Sequence, residues 1–203
     1  EHSRLLREKY KMDPQFMKEV NERFGPLEWR LPEAHAVYWA ALGLKKAQEH
    51  PEKMTAFDLT QLRRAIYGSM QLSFHRGRLV RNPRVFDFGP NLDIFPKAYD
   101  AYSELIAEEP DTGQESGFRR AQRNLVRDAV YFFYVQNRLA DAAKWYRVLV
   151  EEFPNDTLIV GDLNSLPRNM TLEEYAVARV QEEVNDTSRD RIRDMIDGLL
   201  FNA

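Results

Sequence analysis

Two stretches of this chain carry side chains of the kind that recognise ligands. The first runs from residue 76 to residue 95. Arg76, Arg78, Arg81 and Arg84 recur there at intervals of two or three, followed by Asp87 and Asp93, with Phe86, Phe88 and Phe95 among them. A guanidinium presents a planar fork of N–H donors that grips phosphate or carboxylate bidentately, so the four arginines form a candidate anion-binding set. The competing reading is a loop pinned to the surface by its Phe rings, with the arginines paired to acids such as Glu104 or Glu108. The second stretch is a helical pattern at about 118–137. Leu125, Ala129, Phe132, Phe133 and Gln136 share one side, as a core face would. Asn124, Arg127, Tyr131, Tyr134 and Arg138 fall at i, i+3, i+7, i+10 and i+14 and form a second, aromatic and cationic stripe. Tyr supplies contact area at low entropic cost, and Arg and Asn supply directed hydrogen bonds, which is the chemistry of a partner-binding surface. Two readings of the stripe stand: an exposed hot spot for a protein or peptide, or a face covered by another helix with the Tyr hydroxyls bonded to it.

Catalytic chemistry finds little support elsewhere. The four histidines, His2, His35, His50 and His75, are never three or four apart, and HExxH, G-x-S-x-G, Walker and dinucleotide fingerprints are all missing. Glu33 and His35 sit together at a helix start, where His35 reads as a ring packed among Trp29, Tyr38 and Trp39 rather than a metal ligand. The segment Gly25 to Pro32 reads as a structural corner plugged by Trp29. The pairs Glu151-Glu152, Glu173-Glu174 and Glu182-Glu183 are adjacent on helices, where neighbours diverge by about 100°. They read as solvated faces. No cofactor and no metal is implied.

The elements that must position these residues are helical. Asp13-Pro14 caps and opens a helix that stops at Gly25-Pro26. Leu31-Pro32 opens a second that reaches His50, and Thr55 a third that fades near Gly77. Residues 77–92, with Gly77, Pro83, Gly89 and Pro90, read as a long loop, a length that in compact domains is often functional. Helix resumes from Asp93 to Glu109, from about Phe118 to Asn137, and from Leu139 to Phe153 after a tight turn. A loop follows from Pro154 to Asn169; Leu158 to Val160 fits a short strand, but no sheet is expected. Thr171 and Glu174 make a capping-box pattern for a helix to about Val184. Asp186-Thr187 opens a last helix bearing Ile192, Met195, Ile196, Leu199 and Leu200. The predicted fold class is all-α, with helix pairs stacked as a degenerate array or irregular bundle in a single domain.

Self-comparison adds a repeat. Ala98, Tyr102, Leu105, Glu108 and Pro110 recur 44 residues later as Ala142, Tyr146, Leu149, Glu152 and Pro154. The stretch from Arg123 to Asp156 resembles a tetratricopeptide repeat, a family that uses about 34 residues for two antiparallel helices. Ala142, Tyr146 and Pro154 fall at the family's small, aromatic and proline positions. The characteristic early Trp is missing, and Val130 stands where the helices usually touch through a small residue. One unit matches clearly and a second partially. The resemblance implies a groove lined by the first helix of each pair, which in the family receives a peptide or protein.

Composition bounds the rest. The chain has 203 residues, 43% apolar, 30% charged and 12% aromatic, which describes a globular protein with ample core. It has no Cys, so disulfides, cysteine-type zinc sites and a Cys nucleophile are excluded. Net charge is −3, composed of +4 over residues 1–150 and −7 over 151–203, unlike a dedicated nucleic-acid binder. No apolar run is long enough to span a membrane. The chain opens at Glu1 without an initiator Met or signal peptide, which reads as a trimmed piece or a processed product, leaving open a targeting or anchor segment before Glu1; the compartment stays open. The expected function is a non-catalytic protein- or peptide-binding module, a scaffold or assembly part, whose cations suit an acidic segment or a C-terminal carboxylate. The alternatives are an enzyme or regulatory domain with an anion site at 76–95, and a structural piece of an envelope-associated assembly.

Overall fold

The computed structural model describes residues 1–81, 86–108 and 115–186. Among them are eight α-helices: α1 (His2–Lys9), α2 (Pro14–Phe24), α3 (Pro32–Glu49), α4 (Ala56–Arg76), α5 (Phe95–Glu108), α6 (Glu115–Val135), α7 (Leu139–Glu152) and α8 (Leu172–Asp186). The fold is all-α, with helices packed against one another. The chain divides into two compact units, Glu1–Arg119 and Arg120–Ala203. The expected helix after Asp186-Thr187 lies outside the described residues.

Local chemistry sets most helix ends. The Asp13 carboxylate accepts from Phe16 N at 3.0 Å, satisfying one of the orphan donors at the start of α2. That bond and the Arg7 guanidinium hold the Asp13 carboxyl below the usual range. Thr55 and Asp58 close a reciprocal capping box at α4, and Thr171 and Glu174 do the same at α8. Helix α4 ends at Gly77, whose N–H donates to Ser73 O at 2.7 Å. A Cβ on Gly77 would sit 2.1 Å from that carbonyl oxygen, so the approach demands glycine.

The segment after Gly77 corrects one expectation. Residues 77–92 are not an irregular loop: β1 (Arg78–Arg81) and β2 (Phe86–Gly89) pair antiparallel, with Leu79 opposite Phe88 and Val80 opposite Asp87. Gly77 and Gly89 punctuate the ends of this hairpin rather than breaking its middle. Beyond it, Asn91 N donates to Phe74 O at 2.9 Å, tying the return strand to α4.

In the first unit α3 packs along α4, with α2 and α5 against them. Val37, Met70, Phe74, Ile94 and Phe95 are fully buried. Tyr38 organises the α2–α3 side. Its ring meets Phe16, Trp39 and Trp29 edge to face, and its hydroxyl accepts from Asp13 N at 2.7 Å. His35 Nε2 lies 2.9 Å from Trp29 O, so it serves the corner.

In the second unit α6 and α7 are joined by a tight turn at Asn137, whose φ is 58°, with Arg138 N donating to Phe133 O at 2.8 Å. The repeat positions are core positions. Ala98, Tyr102 and Leu105 on α5 and Ala142, Tyr146 and Leu149 on α7 are all buried. Their hydroxyls differ in use. Tyr102 donates to Gln71 Oε1 at 3.0 Å, whereas Tyr146 donates to the carbonyls of Met170 at 2.6 Å and Pro167 at 3.2 Å. The 154–170 connection forms no strand. It is a closed loop in which Ser165 accepts from Ile159 N and donates to Asp162 O, around the buried Leu158.

Ala142 has no exposed surface, so enlarging it overpacks the contact. Ala142→Leu is expected to cost about 1–3 kcal/mol, read from denaturant or thermal unfolding. A variant as stable as the parent would show that the site has room.

Candidate functional site

The α6 stripe is where the structure departs furthest from an open binding face. Tyr131 is 1% exposed and Arg127 8%, which corrects the expectation of an exposed hot spot at these two residues. The cover is α8. Tyr175, Arg179 and Glu182, at i, i+4 and i+7, lie along one side of it. The Tyr175 hydroxyl donates to Arg127 O at 2.8 Å. The Arg179 guanidinium lies 5.5 Å from the Tyr131 ring centroid, donates to Asp128 Oδ1 at 3.0 Å and binds Glu182. Arg127 reaches the Glu182 carboxylate at 3.5 Å, while its Nε–H makes no hydrogen bond.

The flanking members of the stripe are half-buried. Asn124 Oδ1 accepts from Arg123 at 3.0 Å, and Arg123 also reaches Asp156 at 3.3 Å. Arg138 pairs with Asp141 at 2.8 Å and lies over the Phe133 ring. Tyr134 is half-buried one turn before Arg138.

The result is a partly dry cluster of two arginines and two carboxylates. Burial pushes the Tyr175 phenol up. Burial would also raise the Glu182 carboxyl, but the Val160 N–H, at 2.9 Å, and the arginines outweigh it and hold it below the usual range. Glu182 is therefore not the solvated residue its sequence neighbourhood suggests; Glu151, Glu152, Glu173 and Glu174 are exposed. The i, i+4, i+7 spacing of Tyr175, Arg179 and Glu182 was the available sequence signal.

Of the four arginines in the 76–95 segment, the side chains of Arg76 and Arg78 are among those described. Arg76, at the end of α4, places Nε at 3.0 Å and Nη2 at 2.5 Å from Oε1 of the buried Glu33, on α3. Arg78 is exposed at the start of β1, Arg81 lies in β1 opposite Phe86, and Arg84 lies outside the described residues. Among the described residues, no three His, Asp or Glu side chains come together as metal ligands, and no helix is long and apolar enough to cross a membrane.

The first unit contains a concave site that the sequence did not single out. A hollow of about 350 Å³ opens between the end of α2, the last turns of α3, the 51–54 turn, the first half of α4, and α5. Phe24, Ala47, Ile66 and Tyr67 are its buried floor, Leu44, Met54, Leu59 and Arg63 its half-buried walls, and Arg23, Gln48 and Glu104 lie on its exposed rim. A second hollow of about 270 Å³ continues between α2 and α3, sharing Arg23, Phe24, Leu44 and Gln48. A third of about 110 Å³ lies between α2 and α5, again sharing Arg23, Phe24 and Glu104. Together they form a groove with an apolar floor and an ionic rim.

Two outcomes test the α6–α8 contact. Tyr131→Ala is expected to cost roughly 3–5 kcal/mol of stability, as for a buried aromatic, measured by denaturant unfolding. A lowered folded carboxyl pKa adds stability that is fully present above the unfolded value of about 4.3 and is lost as pH falls through the folded one. Glu182→Gln should therefore be less stable than the parent at neutral pH, and the difference should shrink below about pH 4. A pH-independent difference would remove Glu182 ionisation from the account.

No family model matches the chain, and searches of curated proteins and of solved structures likewise find no match.

Proposed function

We propose that this chain is a non-catalytic helical module that binds a segment of a partner protein, an assembly part of a larger complex, with the α6–α7 pair a degenerate unit of tetratricopeptide type. The observation that carries the reading is the groove of the first unit. Interface hot spots fill apolar pockets ringed by polar groups that exclude water. This groove offers that combination along several helices: Phe24, Ile66 and Tyr67 below, Arg23, Gln48 and Glu104 at the edge. The binding face thus moves from the α6 stripe, which α8 already occupies, to the α2–α5 helices. The alternative, an anion-binding regulatory or catalytic site at 76–95, is weakened because Arg76 is committed to Glu33.

Gln48 lines both larger hollows and is exposed, so Gln48→Trp should obstruct the groove while changing stability by no more than about 0.5 kcal/mol. Peptides selected by display on the purified chain are expected to bind this variant at least about 10-fold more weakly, a loss of about 1.4 kcal/mol, read by fluorescence anisotropy. Peptides that bind parent and variant alike would place the binding face elsewhere.

A further inference from the structure

Arg23 lines all three hollows of the groove. Its guanidinium lies 4.9 Å from the centroid of the Phe24 ring, which holds it at the edge of the apolar floor. Its partner is Glu104, through one Nη2–Oε2 contact of 3.3 Å, with the two side chains 65% and 57% exposed. A single-contact pair this open to water is weak, on the order of 0–1 kcal/mol. The neighbouring lysines each border a single hollow, Lys97 the one between α2 and α5 and Lys45 the one between α2 and α3. Lys97 Nζ donates to Glu22 O at 2.5 Å, and Lys45 pairs with Glu19 at 3.3 Å while lying over the Phe16 ring.

We infer that the occupant of the groove is an amphipathic helical segment of a partner protein whose acidic side chain takes Arg23 from Glu104. The inference rests on the groove reading above and adds the chemistry of the partner. The helical form follows from the walls. Helices α2 to α5 satisfy their own backbone groups and present no strand edge, so an extended peptide would bury N–H and C=O groups without partners, whereas a helix brings its own already paired. The acid follows from charge complementarity at Arg23. A carboxylate anchored by apolar side chains in the two larger hollows meets the guanidinium at high effective concentration, shielded from water, and can engage both faces of its fork. Glu104 is then an internal competitor, placed to be exchanged.

The test uses the full chain and three helical peptides of about 18 residues, identical except at one position. Each carries Leu at i and i+7 and either Glu, Gln or Lys at i+4, and binding is read by fluorescence anisotropy at low and high salt. The Glu peptide is expected to bind about 5- to 10-fold more tightly than the Gln peptide, and the Lys peptide most weakly, with the differences shrinking as salt screens them. Arg23→Glu should reverse the order, and Glu104→Gln should tighten the Glu peptide several-fold while leaving the Gln peptide unchanged. If all three peptides bind alike and Gln48→Trp still blocks them, the groove reading stands and the acidic partner is overturned. If none binds, both fall. Dodecanoate binding in the groove while all three peptides fail would assign it to a lipid-like acid and overturn the helical partner.

Discussion

Burying a phenol is costly unless its hydroxyl keeps a hydrogen bond, and in each unit two tyrosines keep one by bonding to another element or to the segment that leads into it. Tyr38 buries its ring among Phe16, Trp29 and Trp39 and brings its hydroxyl to Asp13 N, at the start of α2. Tyr102 reaches from α5 to Gln71 on α4. Tyr146 reaches from α7 to the carbonyls that precede α8, and Tyr175 from α8 to Arg127 O on α6. Each ring supplies apolar area, and each hydroxyl fixes the register of one element on another. Oily residues alone would supply the burial without specifying the register.

The second unit carries this logic into ionic chemistry. Tyr175, Arg179 and Glu182 lay a polar ridge of α8 on Arg127, Asp128 and Tyr131. Two arginines and two carboxylates balance in charge, but Arg127 stands 3.5 Å from Glu182 with its Nε–H unmet. Desolvating such groups offsets much of their attraction, so the arrangement contributes more to a defined seating of α8 than to net stability. It also explains why Arg127 and Tyr131, in the middle of a stripe with the composition of a binding surface, are buried. Arg127 and Tyr131 of α6 are engaged by the chain's own helix α8.

The first unit solves the opposite problem. Its helices bury a continuous core yet leave a groove where α2, α3, α4 and α5 do not fully close. Small or flexible side chains sit there: Ala47 on the floor, Met54 at the wall, Gln48 at the rim. On its rim the Arg23–Glu104 pair is open to water and joined by a single contact. The aromatic core of this unit is held by hydrogen bonds, and an exposed ionic contact lies over an apolar hollow.

Helix limits were legible in the residues because their causes span only three or four positions. Asp13-Pro14, Thr55 and Asp58, and Thr171 and Glu174 close hydrogen bonds within one turn, and Gly77 stops a helix at its own last carbonyls. The buried register of Ala142, Tyr146 and Leu149 was legible for the same reason, since helical period alone puts them on one face. The hairpin was obscured by its brevity: four residues per strand give too little alternation to outweigh the glycines and prolines around them. What only tertiary structure decided is which face meets which. Arg127 and Tyr175 are 48 residues apart and Glu33 and Arg76 are 43 apart, and the groove takes its lining from five separate segments. A stripe of Asn, Arg and Tyr has the same composition whether water or another helix covers it. The covering partner is chosen by packing between distant elements, which no local pattern encodes.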